Sequence, residues 1–327
     1  MKDISQLSFF RLIVKLSKPD VFFTEFLRVH PSSIIDENFQ GMLEGNDTGI
    51  PIVAQVIGES IPDLKRIAQE LEKFPIAGVD FNLGCPAPKI YKKNVGGGLL
   101  RDLKKTTEIL GALRDAIGKA FLIKTRTGFD NTSHFSKILE TLDSAQPDCV
   151  SIHGRTVKEL YFGQVRYDLI SQAVKQLHCP VIANGNISSA NKALSVLQET
   201  KAAGIMIGRG ALRNPWIFRQ IREALNNEPV FQPKFEDARY YIQLLYEMVI
   251  NPNANDEKRA GCMKRYLNFV AQSVDPNGLF LRAMRLASST KELLLVCDEF
   301  LIKGPNASQL LSDEPYPQVI ARPNCEG

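Results

Sequence analysis

Cys85 closes an apolar run, Ile76 to Phe81, within the string Asn82-Leu83-Gly84-Cys85-Pro86, where glycine and proline stop a strand. A thiol at a strand exit can give a proton to a bound ligand or attack it. It also fits a small buried hydrophobe, as many free cysteines are. Lys124 ends the run Phe121-Leu122-Ile123, and alternation along a strand turns it inward. A buried ammonium needs an anionic or electron-rich partner, such as a reduced flavin ring, or serves as a Schiff-base amine. His153 follows Val150-Ser151-Ile152 and reads either as a hydrogen-bond donor to a ligand or as a core histidine held by a carbonyl. Ala183-Asn184-Gly185-Asn186 and Ile207-Gly208-Arg209-Gly210 pair glycines with an arginine, which suits a phosphate or plain turns.

The elements that must carry these residues are short apolar runs separated by amphipathic stretches. The runs are 21–26, 50–57, 78–83, 121–125, 149–153, 180–183 and 204–207, nearly continuous in Val, Ile and Phe, as in parallel strands covered on both faces. Helical periodicity falls at 62–73, 100–117, 134–142, 168–177 and 189–198, the last behind the capping residues Ser188 and Ser189. Gln55, Asn82, Cys85, Lys124, Arg126, His153, Arg155, Asn184, Asn186 and Arg209 fall at strand C-terminal ends. That spread of polar residues predicts a (β/α)8 barrel with one active mouth rather than an open sheet, and no GxGxxG follows the first strand. Seven strands are counted. After about residue 228 only helical periods occur, at 240–250, 261–272 and 277–289, and from Gly304 the chain is rich in Pro and Ser. The expected organisation is a barrel over 1–228, a small all-α domain over 229–303 and a loose tail over 304–327.

The chain has 327 residues, 44% hydrophobic and 23% charged, with a net charge of +4. Six scattered cysteines without a CxxC argue against a disulfide framework and against a metal site. No apolar run reaches the roughly 20 residues a membrane helix needs, and no secretory signal is visible, so a cytoplasmic, membrane-free monomer is expected. Two basic patches stand out: six Lys/Arg against one Asp between Lys89 and Lys105, and again between Lys258 and Arg285. The first includes the glycine run Gly96-Gly97-Gly98, which reads as a loop with open backbone. Such patches suit a polyanion, or are solvated helix faces.

The strings VDFNLGCPAPK, GGGLLRD, IKTRTG, SIHGRT, VIANGNI and GIMIGRGAL, in this order, resemble the tRNA-dihydrouridine synthases from about residue 8 to about 228. The stretch Thr24 to Val29 resembles the bacterial subfamily acting on U16. The resemblance implies an FMN-dependent oxidoreductase that reduces the uracil C5=C6 bond of a tRNA uridine with NADPH as electron donor. It implies Cys85 as proton donor, with Gln55, Lys124, His153, Asn184, Gly185, Asn186, Gly208 and Arg209 at the cofactor. Asn82, Arg126 and Tyr161 match positions on the RNA side. Arg28 and, in the helical domain, Lys264, Tyr266 and Arg285 are added as candidates for orienting the tRNA.

The family begins with a strand ending in Ala-Pro-Met, and back-counting sets Met1 at that methionine. The first strand is then expected to be missing, with an open barrel edge or impaired flavin binding as consequences. Other readings stay open. A barrel flavoenzyme for a free pyrimidine would not need the basic helical region, a lysine aldolase would carry no flavin, and an FMN-deficient chain would be a tRNA-binding protein.

Overall fold

The computed structural model describes Ile4 and residues 6–321. Cys325 and the expected alignment of Met1 with the Ala-Pro-Met motif lie outside the described residues. The chain divides into two compact units.

The first unit comprises Met1–Leu7, Asp20–Asn186 and Ser195–Met206 and holds every strand of the sheet. The strands are β1 Phe22–Phe23, β2 Leu27–Arg28, β3 Ile52–Ile57, β4 Gly78–Asn82, β5 Ala120–Arg126, β6 Cys149–His153, β7 Val181–Asn184 and β8 Gly204–Met206. All pairings are parallel, in the order β1-β3-β4-β5-β6-β7-β8, with β2 also on β3. Each strand from β3 to β7 is followed by a helix before the next, as a β/α barrel requires. Among the described residues no strand bridges β1 and β8, so the sheet is a curled half-barrel whose path has the seven positions counted in the sequence.

The run 21–26 does not form one strand. Thr24 interrupts it: its Oγ1 accepts the Gln55 N–H at 2.9 Å and donates to the Glu25 carbonyl at 2.8 Å. The hydroxyl takes over one ladder bond, and the chain resumes pairing at Leu27. The outer helices form where expected, because one apolar stripe of each can be buried. In Ile61–Leu71, for example, Leu64, Ile67, Ala68 and Leu71 are buried. Each large aliphatic buried this way contributes about 1.5–3 kcal/mol. Ser189 caps Ala190–Thr200 by accepting the Lys192 N–H at 3.1 Å.

The second unit comprises Ser8–Pro19, Ile187–Leu194 and Ile207–Gly327. Its helices include Ile217–Leu225, Phe235–Leu244, Asp256–Val270, Leu279–Leu286 and Thr290–Leu301. The last was not foreseen, although Ser289 and Glu292 spell a capping signal; the Ser289 hydroxyl accepts the Glu292 N–H at 3.2 Å. Residues 304–321 are not a loose tail. A bridge pairs Leu310 with Lys234, Val319 and Ala321 are buried, and the Ser312 and Asp313 carbonyls accept from the buried Arg213. Pro and Ser there mark an irregular segment held by an arginine rather than a solvated one.

Candidate active site at the strand ends

Alternation along parallel strands aims Gln55 of β3, Asp80 and Asn82 of β4, Lys124 and Arg126 of β5, Ser151 and His153 of β6, and Asn184 of β7 to one side of the sheet. The register confirms their neighbourhood: Gln55 lies opposite Asp80, Asn82 opposite Lys124, Arg126 opposite His153, and His153 opposite Asn184. Lys124 and Asn184 are half-buried, whereas Gln55, Asp80, Asn82, Ser151 and His153 are buried. The accessible strip on this polar face thus runs along β5 and β7.

Hydrogen bonds give the face two connected halves. Gln55 donates to Asp80 Oδ2 at 2.6 Å and accepts from Asn82 Nδ2 at 2.8 Å, while Asn82 Oδ1 accepts the Gly84 N–H at 2.9 Å. On the other half, the Lys124 ammonium donates to Asn184 Oδ1 at 3.2 Å, and Asn184 donates onward to the Met206 carbonyl at 2.7 Å. Burial pushes the Lys124 ammonium below the usual lysine value and the Asp80 carboxyl above the usual carboxylate value, and their mutual attraction opposes both shifts. Asp80 Oδ1 and Ser151 Oγ are buried without a hydrogen-bond partner among the described residues.

Cys85 is half-buried and follows the Gly84 peptide. Burial pushes its thiol up, against the Ala87 N–H and the positive charges of Arg126, Lys124 and Lys89. Those three cations are therefore near enough to the sulfur for their charges to act on it together. The loop around it is densely packed. Gly96, Gly97 and Gly98 are buried in a 3-10 turn, Gly96–Arg101, not in an open loop. A Cβ on Gly97 would sit 2.5 Å from a Val157 methyl, and one on Gly98 would sit 2.4 Å from the Tyr91 carbonyl oxygen. These glycines let the turn close over Cys85, whose carbonyl accepts the Gly97 N–H at 3.3 Å.

Several sequence candidates are placed differently from the expectation. Arg126 is 2% exposed and spends its guanidinium on the carbonyls of Gly84 (3.0 Å), Thr156 (2.8 Å) and Leu160 (2.6 Å), with Tyr161 ring-on at 5.7 Å. It ties three loops together through Nε and Nη1, and its Nη2 makes no hydrogen bond among the described residues. Asn82 likewise is buried in the amide chain. Tyr266 is 1% exposed and packs on Phe9 at 5.4 Å, so it is a core side chain of the second unit and does not reach a surface ligand. Lys264 already donates to the Arg285 and Ala287 carbonyls, and Arg285 to Asn268 and the Ile320 and Ala321 carbonyls. Gly208 and Arg209 belong to the second unit, where Gly208 is exposed and Arg209 begins the short helix Arg209–Arg213. Arg28 is half-buried at the end of β2. Gly185, at φ +123, backs onto His153, which a Cβ there would meet at 2.6 Å. Asn186 accepts from Arg155 at 3.3 Å.

Sequence reasoning missed Asp80. The available signal was a lone carboxylate inside an otherwise apolar strand, which must be partnered or functional. It also missed the rim cluster of Tyr91, Phe129, Arg101 and Lys158. The two rings meet edge-on at 5.4 Å, Arg101 lies 4.6 Å over Phe129, and Lys158 lies 5.2 Å over Tyr91.

A curled parallel β/α sheet with a polar, lysine-bearing face at its strand ends defines a barrel-class enzyme. The fold is shared with a variant of NCR from Zymomonas mobilis (TM-score 0.51, 13% identity, covering 72% of this chain and 87% of that one). Morphinone reductase in complex with tetrahydroNAD is comparably similar (TM-score 0.50, 12% identity, 71% and 85% covered). The chain belongs to the dihydrouridine synthase (Dus) family, whose pattern matches residues 1–301. A probable tRNA-dihydrouridine synthase of Helicobacter pylori J99 is 37% identical over 228 residues, 69% of either chain. tRNA-dihydrouridine synthase B of Pasteurella multocida is 31% identical over 260 residues (78% of this chain, 76% of that one). The tRNA-dihydrouridine(16) synthase of Haemophilus ducreyi is 31% identical over 255 residues (75% and 76%). No helix among the described residues is long and apolar enough to cross a membrane, and none of their His, Cys, Asp and Glu side chains cluster as a metal site.

Proposed function

We propose that this protein reduces a uridine base in tRNA to dihydrouridine, with FMN at the half-barrel's polar face and NADPH as electron donor. The observation that carries this reading is the pairing, on one face, of a neutral half-buried thiol, Cys85, with a half-buried ammonium, Lys124, that has hydrogen-bonding capacity to spare. Three N–H donors point from that ammonium and one is used by Asn184. The fit to a flavin rests on this donor set. Lys124 suits an electron-rich ring edge, Gln55 and Asn184 supply amides beside it, and His153 stands one strand away, backed by Gly185. FMN held there would supply the hydride for C6 of uracil.

The chain's own residues supply the rest. The thiol of Cys85 gives its proton to C5 as charge develops toward the C4 carbonyl. It is suited to this because burial keeps it protonated at neutral pH. Its conjugate thiolate is then formed beside Lys124, Arg126 and Lys89, whose charges offset the cost of burying an anion. Arg126 keeps the Gly84 carbonyl and the loop of Leu160 in place, and so orients the residue that carries the proton. The base must leave the folded RNA to reach this face.

RNA phosphates would rest on exposed Lys89, Lys92 and Lys93 and on the cations of the rim cluster, with Tyr91 and Tyr161 available for stacking. Substituting Cys85→Ala tests the reading. Dihydrouridine formation on tRNA lacking the modification should fall at least about 100-fold, while tRNA binding in a filter or shift assay is retained. Full activity of the variant, or equal activity of the wild type on free uridine, refutes it.

A further inference from the structure

The buried carboxylate of Asp80 has no place in the reaction just described, yet it terminates a chain of hydrogen bonds that ends at the Cys85 turn. We infer that Asp80 is a positioning residue for Cys85: it fixes the direction of the amide relay Asp80–Gln55–Asn82–Gly84 and thereby the setting of Gly84, the residue that leads into Cys85. The inference rests on the proposed role of Cys85 as proton donor.

Donor and acceptor polarity sets the direction of the relay. An ionised carboxylate accepts only, and the Gly84 backbone N–H donates only. Between these two fixed ends lie two primary amides, each able to flip. Asp80 Oδ2 takes the Gln55 Nε2 proton at 2.6 Å, which turns Gln55 Oε1 toward Asn82. Asn82 Nδ2 must then donate at 2.8 Å, which leaves Asn82 Oδ1 to accept from Gly84 at 2.9 Å. One orientation of both amides satisfies every link, and all three bonds are buried. Gly84 is thus held on both sides, the N–H of the Leu83–Gly84 peptide by Asn82 and the carbonyl of the Gly84–Cys85 peptide by Arg126 at 3.0 Å. The next residue is Cys85. Asp80 is 0% exposed, and its second oxygen has no hydrogen-bond partner among the described residues. A carboxylate kept at that cost, where an apolar residue would pack, serves the groups it faces: it is a counter-charge to Lys124 and it orients the relay.

The test compares wild type, Asp80→Asn and the swap Asp80→Asn/Gln55→Glu. Asp80→Asn weakens the acceptor end and buries an amide N–H group where the free oxygen was. The swap moves the acceptor-only group one position along the relay, so Asn82 still meets an acceptor and the net charge is conserved. Two readouts are used: the alkylation rate of Cys85, followed by peptide mass spectrometry with iodoacetamide on the purified protein, and the separate kcat and KM for unmodified tRNA. Asp80→Asn is expected to raise Cys85 alkylation at least threefold and to lower kcat at least tenfold with KM changed less than twofold. The swap should bring the alkylation rate back to within twofold of wild type. An unchanged alkylation rate in Asp80→Asn, or a swap no closer to wild type than the single variant, overturns the inference. Should Asp80→Asn fail to fold, the swap alone decides: alkylation more than threefold from wild type is the contrary result. The alkylation readout needs no turnover, so a wild type inactive on tRNA would refute the proposed reaction and leave this inference to be judged on its own.

Discussion

Two cations taken out of water, one in each compact unit, show how a site differs from a clasp. Arg213, in the helical unit, is 3% exposed and donates to the Ser273 hydroxyl and to the carbonyls of Ser188, Ser312 and Asp313. Burial pushes its guanidinium down to about 10, so it stays charged at neutral pH with both terminal nitrogens occupied. Lys124, in the sheet unit, is half-buried and gives one hydrogen bond, to Asn184, with the Asp80 carboxylate as its nearby counter-charge. A saturated cation organises its own chain, whereas one with donors in reserve can serve something else. Arg126, on the same face as Lys124, stands between the two: its Nε and Nη1 are spent on three carbonyls, while its Nη2 makes no hydrogen bond among the described residues.

The contrast is broken most directly by removing each charge. Lys124→Met should cost at least about 100-fold in dihydrouridine formation, the scale of losing a preorganised donor to a developing charge. Its melting temperature should hold, because the methionine fills the stem's volume and the desolvation cost disappears. The same variant should isolate one alkaline contribution. A lysine whose folded pKa lies below its usual 10.5 binds fewer protons folded than unfolded in that window, so the stability of wild type relative to Lys124→Met should rise as pH climbs toward 10.5. Chemical denaturation at pH 8 and pH 10 measures that trend. Arg213→Met should do the reverse. It strands a buried hydroxyl and three part-buried carbonyls and should cost on the order of 3 kcal/mol of stability, read by denaturant unfolding, with activity per folded molecule little changed. If Lys124→Met unfolds the protein while Arg213→Met silences the enzyme, the distinction fails.

Much of the polar face was legible beforehand because polar residues at the ends of doubly covered apolar strands have nowhere to point but the barrel mouth. Gln55, Lys124, His153 and Asn184 were found that way. Asp80 was not, because it lies inside the run that identified the strand, and a pattern search reads such a run by its apolar members. Residue type also misled at Tyr266, where a phenol ring is buried in packing. The glycines at 96–98 looked like an exposed loop and are a compression point, since a missing Cβ serves close approach as well as flexibility. None of these distinctions exists in local sequence, because each depends on which distant atoms arrive opposite the side chain.

A third cation sharpens the comparison at smaller amplitude. Arg166 clamps Glu159 bidentately, at 2.8 and 2.6 Å, closing the loop that offers the Leu160 and Gly163 carbonyls to Arg126 and Arg155. The Arg166 hydrogen bonds, with help from the Thr156 N–H, hold the Glu159 carboxyl down to about 2. A depressed carboxyl contributes stability that is fully present above its usual 4.5 and is lost as pH falls toward 2. Glu159→Gln should therefore melt like wild type at pH 2.5 and slightly lower than wild type at pH 6. The pair is largely solvated, so the difference should be no more than a few degrees. It should come with faster proteolytic nicking of the 156–166 loop and a modest fall in turnover, because Arg126 then grips a looser partner. An equal gap between the two proteins at both pH values would mean that Glu159 acts through packing alone, and that saturation of a cation in this loop does not depend on its charge.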